Sequence, residues 1–347
     1  MSKKIKYKNL LNFTKKILIK AGLDKFSTFS VSTGLCETSL RGVESHGIRL
    51  LNHYVKSALL GRKNPRPKFR FTKKFPAITV LDADNAFGHA AGFKAVDYSI
   101  DVAKKTGVSL VAVKNSSHPG AMASITLRAA RKGYMCLGFT HADSLMLSHN
   151  GKRPYFGTNP ICFAVPRKEK EPYCLDMATS MISWNKLLVQ KAKNKPLDDF
   201  FAANSKGLKT KNAHEAKSLL GAGSYKGFGL ASLVEIFCGV YTGMNFGRDI
   251  LPMYTSSMKK PRKLGQLYIT FRVDAAVSKS IFLKRMQKMT HEIRKEPRRK
   301  KESVKLPNDN EIIKTKEQLK NGIIINRETV HNLIKLSKKF KTKIQFI

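Results

Sequence analysis

The chain is short of negative charge. Against 65 Lys and Arg it carries 24 Asp and Glu, so its 347 residues have a formal net charge of +41. Other shortages exclude whole classes. The five cysteines (Cys36, Cys136, Cys162, Cys174 and Cys238) form no CxxC pair. An odd, scattered set makes no disulfide framework, and buried free thiols in a reducing cytoplasm fit it best. With no HExxH and no dense His/Cys/Asp cluster, no metal is expected. The most apolar stretch, 228–246, holds Glu235 and several glycines, so it reads as a buried helix rather than a membrane span. The basic N-terminus (Lys3, Lys4, Lys6, Lys8) has no apolar segment behind it, and no signal peptide is expected. There is no internal repeat and no long low-complexity tract.

What is present is a globular composition. Hydrophobic residues make up 42% and charged residues 26%, which suits one large or two modest domains. The cation excess admits two readings. A basic surface attracts phosphate, which would make the chain a nucleic-acid binder. Alternatively, the composition has drifted toward Lys and left a solvated basic surface. Of the cations 48 are Lys and 17 are Arg, spread along the chain, whereas base readers and phosphate clamps favour Arg. No specific nucleic-acid partner is expected.

Apolar positions at helical spacing (Leu10, Leu11, Phe13, Ile17, Leu18) predict a helix over 8–22. The basic, proline-containing stretch 61–74 reads as a connection. Strands are expected at 77–82, 108–113, 134–140, 161–165, 173–176 and 267–273, and helices at 92–105, 121–132, 227–240 and 280–295. The charge run 296–305 reads as a solvated loop, and two helical patterns flank 323–325. An α/β middle between mostly helical ends suggests that the two ends, 1–75 and 275–347, pack together as one lobe beside a domain of 76–274.

Four clusters could carry chemistry. Residues 41–49 place Arg41, Ser45, His46, Gly47 and Arg49 together. Arg offers a planar fork for a carboxylate, and Ser and His add directed hydrogen bonds. A plain helix start with surface arginines would look the same. In 115–121, His118 follows a strand and precedes a helix, a common place for a proton-trading group, although a serine-rich helix cap would read alike. Gly157-Thr-Asn-Pro160 is a turn with exposed backbone donors, and Asp176 ends a strand where it could orient a histidine, bind ribose or cap a helix. In 221–229, Lys226 at a helix start could meet phosphate or ribose, but the glycines fit neither a P-loop nor a dinucleotide fingerprint.

Taken together, these stretches resemble the type-2 malate/L-lactate/ureidoglycolate dehydrogenases, a family that includes sulfolactate dehydrogenases. The matches are Leu40-Arg-Gly-Val-Glu-Ser-His-Gly47, Asn115-Ser-Ser-His-Pro-Gly120, Gly157-Thr-Asn-Pro160, Leu175-Asp-Met-Ala-Thr-Ser180 and Lys226-Gly-Phe-Gly-Leu-Ala231, in the family's order over nearly the whole chain. The resemblance implies an α/β (α+β) fold that is not Rossmann: a mostly antiparallel sheet flanked by helices, in a homodimer that binds NAD or NADP. It implies an NAD(P)-dependent oxidoreductase of the cytoplasm, without membrane partners, acting on a small 2-hydroxy or 2-oxo acid. By that resemblance His118 is the acid/base, with His46 the competing choice and Asp176 behind one imidazole. Ser45, His46 and Arg49 face the substrate, Arg49 taking its carboxylate. His118, Asp176, Met177, Ala178, Lys226, Asn308 and Asp309 fall in cofactor-contacting segments. The chain departs from the pattern at Asn204, at Gly223-Ser-Tyr, and at Asn308 and Asn310. The alternative is a basic nucleic-acid-binding protein on a degenerate dehydrogenase fold.

Overall fold

The computed structural model describes residues 2–168, 171–299 and 302–347. Helix α1 (Tyr7–Lys20) buries Leu10, Phe13, Ile17 and Leu18, the stripe its spacing predicts. Helix α2 (Lys25–Leu40) has no such stripe. It is rich in Ser and Thr, starts on an Asp24 cap to Ser27 N at 2.6 Å, and is buried on most sides. After two 3-10 turns comes α3 (Leu51–Leu59). Helices α4 (Gly88–Thr106) and α5 (Ala123–Arg131) follow, and then α6 (Trp184–Ala192). Helix α7 (Tyr225–Glu235) runs on into the π-turn Ile236–Val240, and α8 (Lys279–Lys295), α9 (Asp309–Asn321) and α10 (Arg327–Lys339) complete the chain.

The large sheet has seven strands in the order Arg70–Phe75, Ile78–Asp82, Val108–Ser116, Leu264–Arg272, Tyr134–Thr140, Ile161–Val165 and Tyr173–Met177. Its pairings are antiparallel except that of Ile78–Asp82 with Val108–Ser116. Alternation along the central strands separates two faces. Val111, Val113 and Tyr268 pack with Phe93 of α4 and Ile125 and Leu127 of α5. Ala112, Phe139 and Leu267 pack with Val234 of α7 and Cys238 behind it. The result is a sheet with helices on both sides, mostly antiparallel and not Rossmann.

The chain ends meet. Lys3–Ile5 pairs antiparallel with Ile323–Ile325, and α1, α2, α3 and α10 share a core that includes Leu10, Leu35, Leu51 and Leu333. Helix α8 stands apart, with only Thr290 buried.

Two expectations need correction. Part of the expected connection 61–74 is the sheet's edge strand Arg70–Phe75. Edge strands are often polar, so RFTKKF shows no apolar alternation; Phe71 anchors it by stacking on Tyr98 at 4.1 Å. The apolar segment around α7 is not buried all round: Leu233, Ile236, Val240 and Tyr241 are exposed. Glu235 itself is buried, accepting from Asn159 Nδ2 and Gly247 N, both at 2.6 Å. Among the described residues no helix is long and apolar enough to cross a membrane. Of the charge run, 296–299 and 302–305 lie outside helix and strand and are largely exposed; 300 and 301 lie outside the described residues.

Candidate active site

The strand Val108–Ser116 ends beside the start of α4, and His118 sits in the loop that leads on from the strand to α5. A Cβ at Gly88 would collide with the carbonyl of Ser117, so only glycine lets α4 start this close. The loop is pinned by Ser117 Oγ donating to Ala86 O at 2.9 Å and by Gln266 Nε2 donating to Ser116 Oγ at 2.8 Å.

Tyr54 on α3 backs His118. Its hydroxyl lies 3.0 Å from His118 Nδ1 and 3.1 Å from the His118 carbonyl oxygen. A carbonyl only accepts, so the Tyr54 hydrogen goes there and the phenol oxygen accepts from Nδ1–H. Nε2 is then the nitrogen left for a ligand. The Gly120 amide, 3.4 Å from Nδ1, is the weaker competitor.

His46 arrives from the 3-10 turn Glu44–His46. Its ring stacks on His118 with centroids 5.6 Å apart, and its Nδ1 is 2.8 Å from Ser45 Oγ. Both imidazoles line one cavity with Arg262, Asp143 and Trp184. Burial holds the pKa of His46 down to about 4, with help from the Arg49 charge. Burial, then His46 and the nearby cations Lys63 and Arg262, hold His118 well below the usual imidazole range. Both rings are therefore neutral at neutral pH in the free protein.

Arg262 is 3% exposed and pairs with Asp143, while its Nε donates to Leu251 O at 2.7 Å. Sequence reasoning missed Arg262, Asp143 and Tyr54. Arg262 lies in a run of basic residues that looks like any solvated turn, and only the fold brings it to His118.

Some expected residues stand elsewhere. Arg49 lines two outer cavities and not the one holding the imidazoles. The turn Ile48–Leu50 brings Leu50 to that wall instead. Asp176 orients neither imidazole, because Ser45 and Tyr54 do so. Its Oδ2 accepts from Ala123 N at the start of α5 at 2.8 Å. Surrounding protein pushes its carboxyl up to about 6, against backbone hydrogen bonds from α5.

Met177 and Ala178 continue from that strand to Thr179, whose carbonyl accepts from Ala222 N at 2.9 Å. Gly227 packs so tightly there that a Cβ would collide with Ala222 N and Thr179 O. Thr179, which follows the Asp176–Ala178 segment, is thereby held against the first turn of α7, the turn that carries exposed Lys226. Asn308 and Asp309 begin α9. Asn308 is buried, with Nδ2 donating to Pro172 O and Oδ1 accepting from Arg41 Nη2, both at 2.7 Å. Asp309 pairs with Arg294 at 2.7 Å. These two side chains are committed to the fold, which leaves backbone amides at that helix start to meet a ligand.

Antiparallel α/β architecture, paired imidazoles and a guanidinium in one cavity define the non-Rossmann dehydrogenase class. The chain belongs to the malate/L-lactate dehydrogenase family, which it matches over residues 5–334. It is 30% identical over 290 residues to the ureidoglycolate dehydrogenase (NAD(+)) of Escherichia coli (strain K12), covering 84% of this chain and 83% of that protein. It is 29% identical over 273 residues to the (2R)-3-sulfolactate dehydrogenase (NADP(+)) of Chromohalobacter salexigens, covering 78% and 81%. Among solved structures, malate dehydrogenase from Entamoeba histolytica matches with a TM-score of 0.94 at 25% identity, over 100% of both chains.

Proposed function

We propose that the chain is an NAD(P)-dependent oxidoreductase that interconverts a small 2-hydroxy acid and its 2-oxo acid. The observation that carries this reading is His118, tethered through Nδ1 to Tyr54, facing one cavity with Arg262. Arg262 binds the substrate carboxylate with its planar fork. In oxidation of the hydroxy acid, neutral His118 takes the hydroxyl proton at Nε2. In reduction it gives that proton back to the oxygen. An anionic substrate beside the ring favours imidazolium and offsets the lowering seen in the free protein. Ser45 fixes the His46 ring, which lies against His118 as a wall of the site.

The cofactor segments suit a nicotinamide dinucleotide. Lys226 and the amides of the first turn of α7 offer positive charge for a pyrophosphate. Asp176 offers a carboxylate for ribose hydroxyls, and Met177, Ala178 and the backbone at Asn308 and Asp309 complete the contact. When bound, the nicotinamide supplies or accepts the hydride. In this reading the lobe of 1–75 and 275–347 presents Ser45, His46 and the cofactor-facing start of α9, and 76–274 carries the other cofactor segments.

The exposed face of Leu233, Ile236, Val240 and Tyr241 supports a homodimer. The five buried free thiols support a cytoplasmic setting. Fluorescence titration with NADH and NADPH at moderate salt, with a screen of 2-oxo acids against both, tests the function. Saturable binding and turnover are expected. Binding of nucleic acid without either would favour a degenerate enzyme.

A further inference from the structure

Burial and pairing leave the active cavity with little positive charge, despite the net charge of +41. Arg262 is its only guanidinium among the described residues, and Asp143 in the same cavity already neutralises it. His46 and His118 are neutral in the free protein for the reasons given above. Arg49, the other arginine near the imidazoles, lines outer cavities. In its stead Leu50 reaches the wall, and Leu145, Met253 and Trp184 extend the apolar lining.

We infer that the cavity selects a 2-oxo acid with one carboxylate and an apolar side chain, aliphatic or aromatic, over a dicarboxylate or sulfonated one. This rests on the dehydrogenase reading and narrows it. One carboxylate takes the free edge of Arg262, whose Nε and Nη2 are held by Leu251 O and Asp143. Besides the apolar Leu50, Leu145, Met253 and Trp184, the remaining walls offer only uncharged polar groups such as Ser183, Asn185 and Tyr254, so a second anionic group would meet no counter-charge there. Burying an unpaired charge is costly, whereas an apolar chain gains from the same walls. The cations outside the cavity speed the arrival of any anion, but their field is screened by salt and does not distinguish the two classes once bound.

The test compares kcat/KM for 2-oxo-4-methylpentanoate, phenylpyruvate and oxaloacetate at moderate salt, with the better of NADH and NADPH. The single tryptophan, Trp184, lines the cavity, so quenching of its fluorescence reads acid binding without cofactor. The expected result is a preference of about 10-fold or more for the monocarboxylates, with tighter quenching by them. Leu50→Arg adds a second fork at the wall and should shrink or invert that ratio. Equal or better turnover of oxaloacetate by the unaltered protein overturns the inference and leaves the dehydrogenase standing, whether or not Leu50→Arg folds. Turnover of no 2-oxo acid overturns the functional reading itself, and this inference with it.

Discussion

His89 should make the protein lose stability at mildly acidic pH. Its ring is fully buried between α2 and the His118 loop. A Cβ at Gly34 would collide with it, and one at Gly120 would lie 2.7 Å from its Nε2. Neither ring nitrogen has a hydrogen-bond partner. Burial, then the nearby Lys63 and His46, push its pKa down to about 3. In the unfolded chain an imidazole titrates at about 6.5. The folded pKa is the lower one, so the unfolded state binds more protons between the two values. The contribution is complete above about pH 6.5 and is lost as pH falls toward 3. At about pH 5 the unfolded ring has gained roughly 1.5 pH units of protonation free energy that the folded ring has not, or about 2 kcal/mol. His89→Leu, of similar volume and without a titrating group, should lose about 2 kcal/mol less than the unaltered protein between about pH 7.5 and pH 5. Urea unfolding followed by far-ultraviolet circular dichroism at both pH values measures this. Any packing cost of the substitution cancels in the difference. Equal losses in the two proteins would refute the reasoning.

Other outcomes follow from the same geometry. His118→Asn should lower kcat by about 10²–10⁴-fold with NADH binding nearly intact, whereas His46→Asn should act mainly on KM; the reverse pattern in steady-state kinetics would exchange their roles. Arg262→Lys keeps the charge but not the fork, so it should raise KM for every 2-oxo acid, while Arg49→Lys should leave KM unchanged. Gly227→Ala should push the Lys226 turn away from Thr179 and weaken NADH binding in a fluorescence titration, and unchanged affinity would count against that cofactor segment. Leu233→Lys should convert a dimer to monomers in light scattering, and a monomeric unaltered protein would remove the role given to the α7 face.

The sequence carried the sheet well where strands are central and apolar. The strand read at 108–113 is observed as Val108–Ser116, and that read at 134–140 as Tyr134–Thr140. It failed at Arg70–Phe75, whose edge position tolerates Lys on both faces, and at α2, whose hydroxyl-rich surface is buried without an apolar stripe. Local motifs pointed to His46 and His118, and the fold brings the two rings to one cavity although 72 positions separate them. That Arg262 and not Arg49 lines the cavity of the imidazoles was not legible in the sequence, for two reasons. Which of Arg49 and Leu50 faces inward depends on the phase of a short 3-10 turn, which spacing does not define. Arg262 comes from more than two hundred residues away along the chain, and no local pattern marks it. The pairing of Asp176 with the start of α5 instead of an imidazole is likewise a tertiary fact.

The central claim is that a hydride moves between a nicotinamide and the carbon next to a carboxylate. It is tested most directly by isotope transfer. The protein is incubated with a 2-oxo acid and NADH or NADPH deuterated at the hydride-donating carbon, and the product is read by mass spectrometry. The account predicts a 2-hydroxy acid carrying one deuterium on the carbon beside the carboxylate, formed by the unaltered protein and far more slowly by His118→Asn. Oxidation of the nicotinamide without label in a hydroxy acid, or label retained by the cofactor while the acid is consumed, would contradict it.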